Sequence, residues 1–551
     1  VPLDPSKPAR AVDVLLEILR DEGATTIFGN PGSTEMPLMD ALVDAPDFRY
    51  VLGLQEATAV AMADGYALKT GRPAFVNLHA AGGLGNAMGV LVASKASETP
   101  LVVTAGQQDT RHLFSDPWLA GDLVALAKPV AKWATEVRRG ADVGAAVRRA
   151  FAIAATPPQG PVFLSLPMDV LDQEVEPRIP AKSRLAARAP SPGAGDLARR
   201  LAAHDPARVA VLIGDDVPAD AAAGAVALAH AGGYVVYGAQ LTSRAAFPAH
   251  DPCWGGMLKP DFAAIREKLA DADAVLMIGG RAFVAYPYRE ERPIPESASF
   301  YHVAGTPEAI GREFPADFAV TGDVGATLEE AAAVLAAAVE RRGAAQRVKK
   351  LGERKAQAER AARAAIMAES AARPVTPDLA VLSVLDALPP GALIANDSAA
   401  TFGRVQSIMR TEPGHYFFSR GGVLGCAMPA ATGIGLVHEG WVACLCGDGG
   451  AMYSPQALWS AAHYKSRVIF FVFNNARYNV LMNVAKGLGS KNAVAGKFVG
   501  MDVVEPRIDF QALARSMGVP GVRADDPAAI AAAIAEATTR DGPSLIEIAI
   551  A

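Results

Sequence analysis

The chain has 551 residues, more than one hydrophobic core can serve, so three or four domains are expected. Hydrophobic residues make up 51% and charged residues 20%, and a net charge of −6 gives no reason to expect nucleic acid or an anionic membrane as partner. No run of about 18 apolar residues is uninterrupted, which excludes a transmembrane helix. The opening VPLDPSKPARAVDVLLEIL lacks a basic-then-apolar leader and passes into an amphipathic helix. Four cysteines, Cys253, Cys426, Cys444 and Cys446, form no CxxC pair, and a reducing cytoplasm fits them.

In chain order, residues 10–180 alternate short apolar runs with helical patterns. ARAVDVLLEILRDEG is a helix closed by Gly23, TTIFG a strand, and NPGSTEMPLMDALVD a turn leading into a helix. YVLGLQ, PAFVNLH, PLVVTAG and GPVFLSLP read as further strands, with EATAVAMADGYALKTG a helix and AAGGLGNAMGVLVASKASE a glycine loop entering a helix. Strands alternating with helices imply a parallel sheet covered on both faces. Gly83-Leu84-Gly85 is a weak dinucleotide signal, since the third glycine is misplaced.

Residues 180–192 read as a linker. A second α/β segment follows, with strands at ARVAVLIG, GYVVYGA, DAVLMIGG and SFYHVAG, then a charged connecting helix over 340–370. From Pro377 the α/β pattern resumes. The expected architecture is therefore three doubly wound parallel-sheet domains: residues 1–183, 194–340 and 375–551, with a helical linker at 341–374.

The most informative stretch runs from Val442 to Val480. An apolar strand breaks at Gly447-Asp448-Gly449-Gly450, a helix follows, and a second apolar strand ends in Asn474-Asn475. Such turns lie at the carboxyl ends of strands, where open parallel sheets bind ligands. Glycines let backbone N–H groups approach a phosphate, while Asp448 and Asn475 supply hard oxygen ligands suited to octahedral Mg²⁺, with Ca²⁺ as the alternative. In the first domain, Gly29-Asn30-Pro31-Gly32-Ser33, Glu56 and His79 each lie at a strand's carboxyl end and are expected to face one crevice.

GDG followed about 25 residues later by NN resembles the diphosphate–metal motif of thiamine diphosphate enzymes. With FGNPGS, FRYVLGLQEA, PAFVNLH, GNAMG, LVVTAGQQ, PQGPVFLSLP and GDGGAMYS, nearly the whole chain resembles the benzoylformate decarboxylases, within the pyruvate oxidase/decarboxylase group. The resemblance implies a pyrimidine-binding first domain, a middle domain that in relatives holds FAD or nothing, and a diphosphate-binding last domain. No FAD requirement is visible here. It implies a homodimer or homotetramer whose site forms between two subunits.

By the same resemblance, Glu56 is the carboxylate beside the aminopyrimidine, where apolar surroundings would raise its pKa and promote proton sharing. Its other reading is a helix cap. His79 would relay a proton, and Ser33 would hold the substrate; a structural hydrogen bond and a turn cap are their alternatives. Asn30, Pro31, Gly32, Ser398, Gly422, Leu424, Gly447, Asp448, Gly449, Gly450, Tyr453 and Asn475 would contact the cofactor. Gly422 would offer a carbonyl to the aminopyrimidine and Leu424 an apolar support beneath the rings. The metal would take Asp448, Asn475 and the main-chain carbonyl of Arg477.

Three positions depart from the family. Tyr286 stands where a second histidine is expected, Val480 replaces a smaller residue and Val484 an aromatic one; with Phe418 they would line the substrate pocket. The leading expectation is non-oxidative decarboxylation of a small 2-oxo acid to an aldehyde. A carboligase of the same group is the alternative, because a phenol with pKa near 10 relays protons poorly at neutral pH. A cofactor-binding protein without turnover is a third reading, against which the intact Glu56 argues.

Overall fold

In the computed structural model, the described residues are 3–4, 6–183, 188–214, 216–239, 241–283, 288, 290–410 and 412–551. Three six-stranded sheets follow one another along the chain, and every pairing within them is parallel. The first runs, edge to edge, Arg49–Leu52, Thr26–Gly29, Ala74–Leu78, Leu101–Gln107, Val162–Pro167 and Ala134–Glu136. The last runs Tyr416–Phe418, Leu393–Asp397, Val442–Gly447, Val468–Asn474, Ser544–Ala549 and Gly521–Ala524. Numbered within each domain, both have the strand order 2-1-3-4-6-5, so the similar rhythm of the two outer domains reflects one topology used twice. The middle sheet, Trp254–Met257, Val235–Gly238, Val209–Ile213, Ala274–Ile278, Ser299–Ala304 and Phe318–Thr321, has the order 3-2-1-4-5-6 familiar from dinucleotide-binding folds.

Central strands are buried along their whole length, as Leu101–Gln107 and Val468–Asn474 are. Helices cover both faces, so both sets of alternating side chains must be apolar, which is why these strands read as continuous hydrophobic runs. Short edge strands escape sequence reading, among them Ala134–Glu136, Trp254–Met257 and Phe318–Thr321: each has three or four residues and is half-buried. The glycine loop expected after His79 is a correction. Helix Ala80–Ala96 starts directly behind that histidine, and Gly82, Gly83 and Gly85 lie inside it. The linker stretch forms helix Arg341–Met367, which is largely exposed.

The outer domains of one chain are clamped together. Helix Glu56–Thr70 crosses helix Ala427–Gly435 so closely that a Cβ on Gly65 would overlap the Ala430 carbonyl, and one on Gly433 that of Met62. Tyr464 of the last domain caps the edge strand of the first, accepting from the Leu52 N–H at 2.6 Å and donating to the Tyr50 carbonyl at 3.1 Å. Among the described residues no helix is long and apolar enough to cross a membrane.

Candidate active site

The three strands that carry Asn30, Glu56 and His79 at their carboxyl ends are neighbours in the first sheet. The fold therefore brings these residues to one rim, at the switch point where chain connections depart in opposite directions. Asn30 donates from Nδ2 to the Gly53 carbonyl at 2.9 Å, tying the Asn30–Gly32 loop to the Glu56 loop. Ser33 opens a short 3₁₀ turn, Ser33–Glu35, and is exposed.

At the centre is a residue that sequence reading missed. Glu35 is 1% exposed and accepts four hydrogen bonds: from the Gly32 N–H at 2.9 Å, the Gly106 N–H at 2.8 Å, the Thr34 hydroxyl at 2.8 Å and His79 Nδ1 at 2.8 Å. An ionised carboxylate only accepts, so Nδ1 carries the proton. That leaves Nε2 as the nitrogen able to exchange one. Gly32 and Gly106 are required: a Cβ on Gly32 would overlap the His79 ring, and one on Gly106 the Glu35 carboxylate. The only sequence signal was a glutamate three residues beyond Gly32, the position of a capping-box acid. Glu35→Gln turns an amide donor towards N–H groups, which costs about 1–3 kcal/mol. We expect turnover to fall at least tenfold with cofactor affinity unchanged. Equal losses in both would make Glu35 a general structural residue.

Glu56 begins helix Glu56–Thr70, whose cap is the neighbouring Gln55, accepting from the Thr58 N–H at 3.1 Å. Its own carboxylate is thereby spared capping. Oε2 accepts from Asn86 Nδ2 at 3.1 Å, and Gly83 on the facing helix leaves it room, since a Cβ there would press on Oε1. Glu56 is half-buried in the single chain rather than enclosed by apolar groups.

In the last sheet the strands ending before Ser398, Asp448 and Asn475 are likewise adjacent. Asp448 is buried, and burial raises its carboxyl above the usual range against the opposing pull of backbone N–H groups, first that of Gly449. Oδ1 accepts from Gly449 at 2.7 Å; Oδ2 is buried without a partner. A buried orphaned carboxylate oxygen is costly unless a cation completes it. Asn475 supplies a second oxygen, which here accepts from the Arg477 N–H at 3.2 Å. The Arg477 side chain is exposed. A Cβ on Gly447 or Gly422 would project into open space, and on Gly450 it would make ordinary contact with Asp397. These residues fit a diphosphate with its metal: hard oxygen ligands beside a cradle of side-chain-free backbone.

Ser398 is buried, and its hydroxyl donates to Asn396 Oδ1 at 2.5 Å. Between them stands Asp397, also missed from sequence, which accepts from the Gly425 N–H at 2.5 Å and is further supported by those of Ala427 and Cys426. It pins the turn containing Gly422 (φ 67°) and Leu424, and Gly425 is free of a Cβ that would overlap Tyr453. Val480 and Val484 lie one turn apart on helix Asn479–Gly487, both half-buried. Phe418 packs on Phe402 with ring centroids 4.5 Å apart. Tyr286 lies outside the described residues.

Burial pushes the Asp397 carboxyl up to about 7, against the pull of the three N–H groups. A carboxyl raised in the folded state contributes stability below its ordinary value of 3.8 and loses it as pH rises through about 7. Asp397→Asn is uncharged throughout. The melting temperature of the wild type should therefore fall relative to this variant from about pH 4 to about pH 7. A difference that stays flat with pH would contradict the raised value.

The chain belongs to the thiamine pyrophosphate enzymes: residues 9–118 match the N-terminal TPP binding domain, 196–331 the central domain and 400–548 the C-terminal TPP binding domain. It is 37% identical over 543 residues to the benzoylformate decarboxylase of Pseudomonas aeruginosa, with 97% of each chain covered. It is 25% identical over 483 residues to the acetolactate synthase large subunit of Haemophilus influenzae, covering 85% of this chain and 82% of that one. Among solved structures, the thiamine diphosphate-dependent 4-hydroxybenzoylformate decarboxylase of Rhodococcus jostii RHA1 superposes with a TM-score of 0.86 at 32% identity, covering 98% and 99% of the two chains.

Proposed function

We propose that this chain catalyses the thiamine diphosphate- and Mg²⁺-dependent, non-oxidative decarboxylation of a small 2-oxo acid to an aldehyde. The observation that carries the reading is the buried Glu35–His79 pair, which sets a proton-exchanging nitrogen on the same sheet rim as Glu56. Thiamine diphosphate, when bound, supplies a ring that takes up the electron pair left by the departing carboxylate. The chain's own residues do the rest. Asp448, Asn475 and the Arg477 carbonyl hold the metal, with Ca²⁺ a possible substitute, and Ser398, Gly447, Gly449, Gly450 and Tyr453 surround the diphosphate. Gly422, Leu424 and the Asn30-Pro31-Gly32 turn position the rings. Glu56 holds a proton at the aminopyrimidine, His79 Nε2 delivers one to the product carbon, and the Ser33 hydroxyl holds the substrate carboxylate. Phe418, Val480 and Val484 bound the pocket and select among 2-oxo acids.

The assembly is a homodimer or homotetramer in a reducing cytoplasm, and each site draws Glu56 and Asp448 from different subunits. In support, Glu56 is incompletely covered in one chain, and Phe114 and Trp118 beyond the strand Leu101–Gln107 are 88% and 86% exposed. A cavity of about 670 Å³ in the single chain is lined by Trp254, Arg354 and Gln406 and by none of Glu56, His79, Asp448 and Asn475.

One sequence feature favours carboligation as a second reading: Tyr286 in place of a second proton-relaying histidine. The test is a screen of 2-oxo acids for CO₂ release, repeated with an acceptor aldehyde. Absence of thiamine diphosphate-dependent CO₂ release from every acid would overturn the leading proposal. Within that screen, Tyr286→His should raise the ratio of aldehyde to ligated product. An unmoved ratio would mean that Tyr286 lies outside the site or that His79 alone controls the proton.

A further inference from the structure

Outside this site, the described residues hold one group of three metal-ligating side chains, His230, Asp251 and Cys253, whose ligand atoms all lie within 4.8 Å of one another. His230 sits in the last turn of helix Ala222–Gly232. Asp251 and Cys253 precede Trp254–Met257, the edge strand of the middle sheet. The Asp251 carboxylate lies between the other two. Oδ2 is 2.9 Å from His230 Nε2, and Oδ1 accepts from the Cys253 N–H at 2.8 Å. Asp251 and Cys253 are buried, whereas the imidazole is 42% exposed and borders a groove lined by Ala227, Ala231 and Glu329. The groove thus reaches the imidazole, while the carboxylate and the sulfur beside it are buried.

We propose that His230, Asp251 and Cys253 bind Zn²⁺, at a site separate from the metal held with the diphosphate. One imidazole, one carboxylate and one thiolate are a ligand set for a borderline cation, and Mg²⁺ and Ca²⁺ prefer oxygen alone. Tetrahedral bonds of about 2.0–2.3 Å set neighbouring ligand atoms about 3.3–3.8 Å apart, so the His230–Asp251 pair opens by a few tenths of an ångström and the sulfur closes in. Water takes the fourth position on the exposed side. The thiol proton leaves to solvent as the Zn–S bond forms, as does any proton on the imidazole nitrogen that binds. The cation ties a helix end to a weak strand: Trp254–Met257 is an edge with two central glycines, and its register slips between Val236 and Gly238.

The probe is Co²⁺, added to holoenzyme that has been stripped with a chelator and reloaded with thiamine diphosphate and Mg²⁺. One equivalent per chain should give a thiolate-to-cobalt charge-transfer band, which the all-oxygen ligands Asp448 and Asn475 do not produce, and Zn²⁺ should displace it. Cys253→Ser and the half-exposed His230→Gln should each lose the band and the rise in melting temperature that Zn²⁺ gives the wild type, while both keep their CO₂ release. Asp448→Ala should keep the band. Absence of the band in wild type, or its persistence in Cys253→Ser, overturns the site and leaves the proposed decarboxylation untouched.

Discussion

Asp448→Ala is expected to weaken thiamine diphosphate binding by more than tenfold, about 1.4 kcal/mol or more, and to remove its dependence on Mg²⁺. The wild-type chain holds this carboxylate buried, with Oδ2 unpartnered and its pKa raised. That arrangement costs free energy while no cation completes it, and on the proposed reading the binding of metal and diphosphate would offset it. The alanine variant also removes an acceptor from the Gly449 N–H, so a loosened loop could mimic a lost ligand. Asp448→Asn separates the two effects, because it keeps an acceptor oxygen and drops the charge. Both variants should bind cofactor weakly, and only the alanine variant should lower the melting temperature of the cofactor-free protein. Titration of thiamine diphosphate at fixed Mg²⁺ makes the measurement. Affinity unchanged in both variants would remove Asp448 from the metal site.

Much of this arrangement is legible in the sequence because parallel sheets announce their strand ends. Apolar runs such as VACLC and RVIFFVF stop abruptly at Gly447 and Asn474, since the next residues must leave the core. Ligand-binding residues cluster there for the same topological reason. The pairing of Glu35 with His79 was not legible. The two are 44 positions apart, and nothing local distinguishes a buried paired carboxylate from a helix-capping one. Asp397 escaped for a similar reason: its role depends on the Gly425 turn folding back 28 residues later. The glycines of helix Ala80–Ala96 suggested a loop because propensity disfavours them in helices. Tertiary contact overrides that preference where Gly83 must make room for Glu56.

Glu56→Gln should lower turnover by roughly 10²- to 10⁴-fold, the usual range for a lost acid–base group, with cofactor binding retained. The glutamine keeps the shape that Gly83 accommodates and an oxygen for the Asn86 amide, but it cannot exchange a proton. This variant also tests the assembly. If each site takes Glu56 from one subunit and Asp448 from the other, mixing Glu56→Gln with Asp448→Ala chains creates hybrids. A hybrid dimer has one site with both residues intact and one with neither. Random exchange makes half the dimers hybrid, so about a quarter of the wild-type rate should return from two inactive proteins. A site completed within one chain predicts no recovery, because no chain in the mixture carries both residues. An affinity tag on one variant, tested for retention of the other, confirms whether subunits have exchanged. An exchanged but inactive mixture, or a fully active wild-type monomer, would show that one chain builds the whole site.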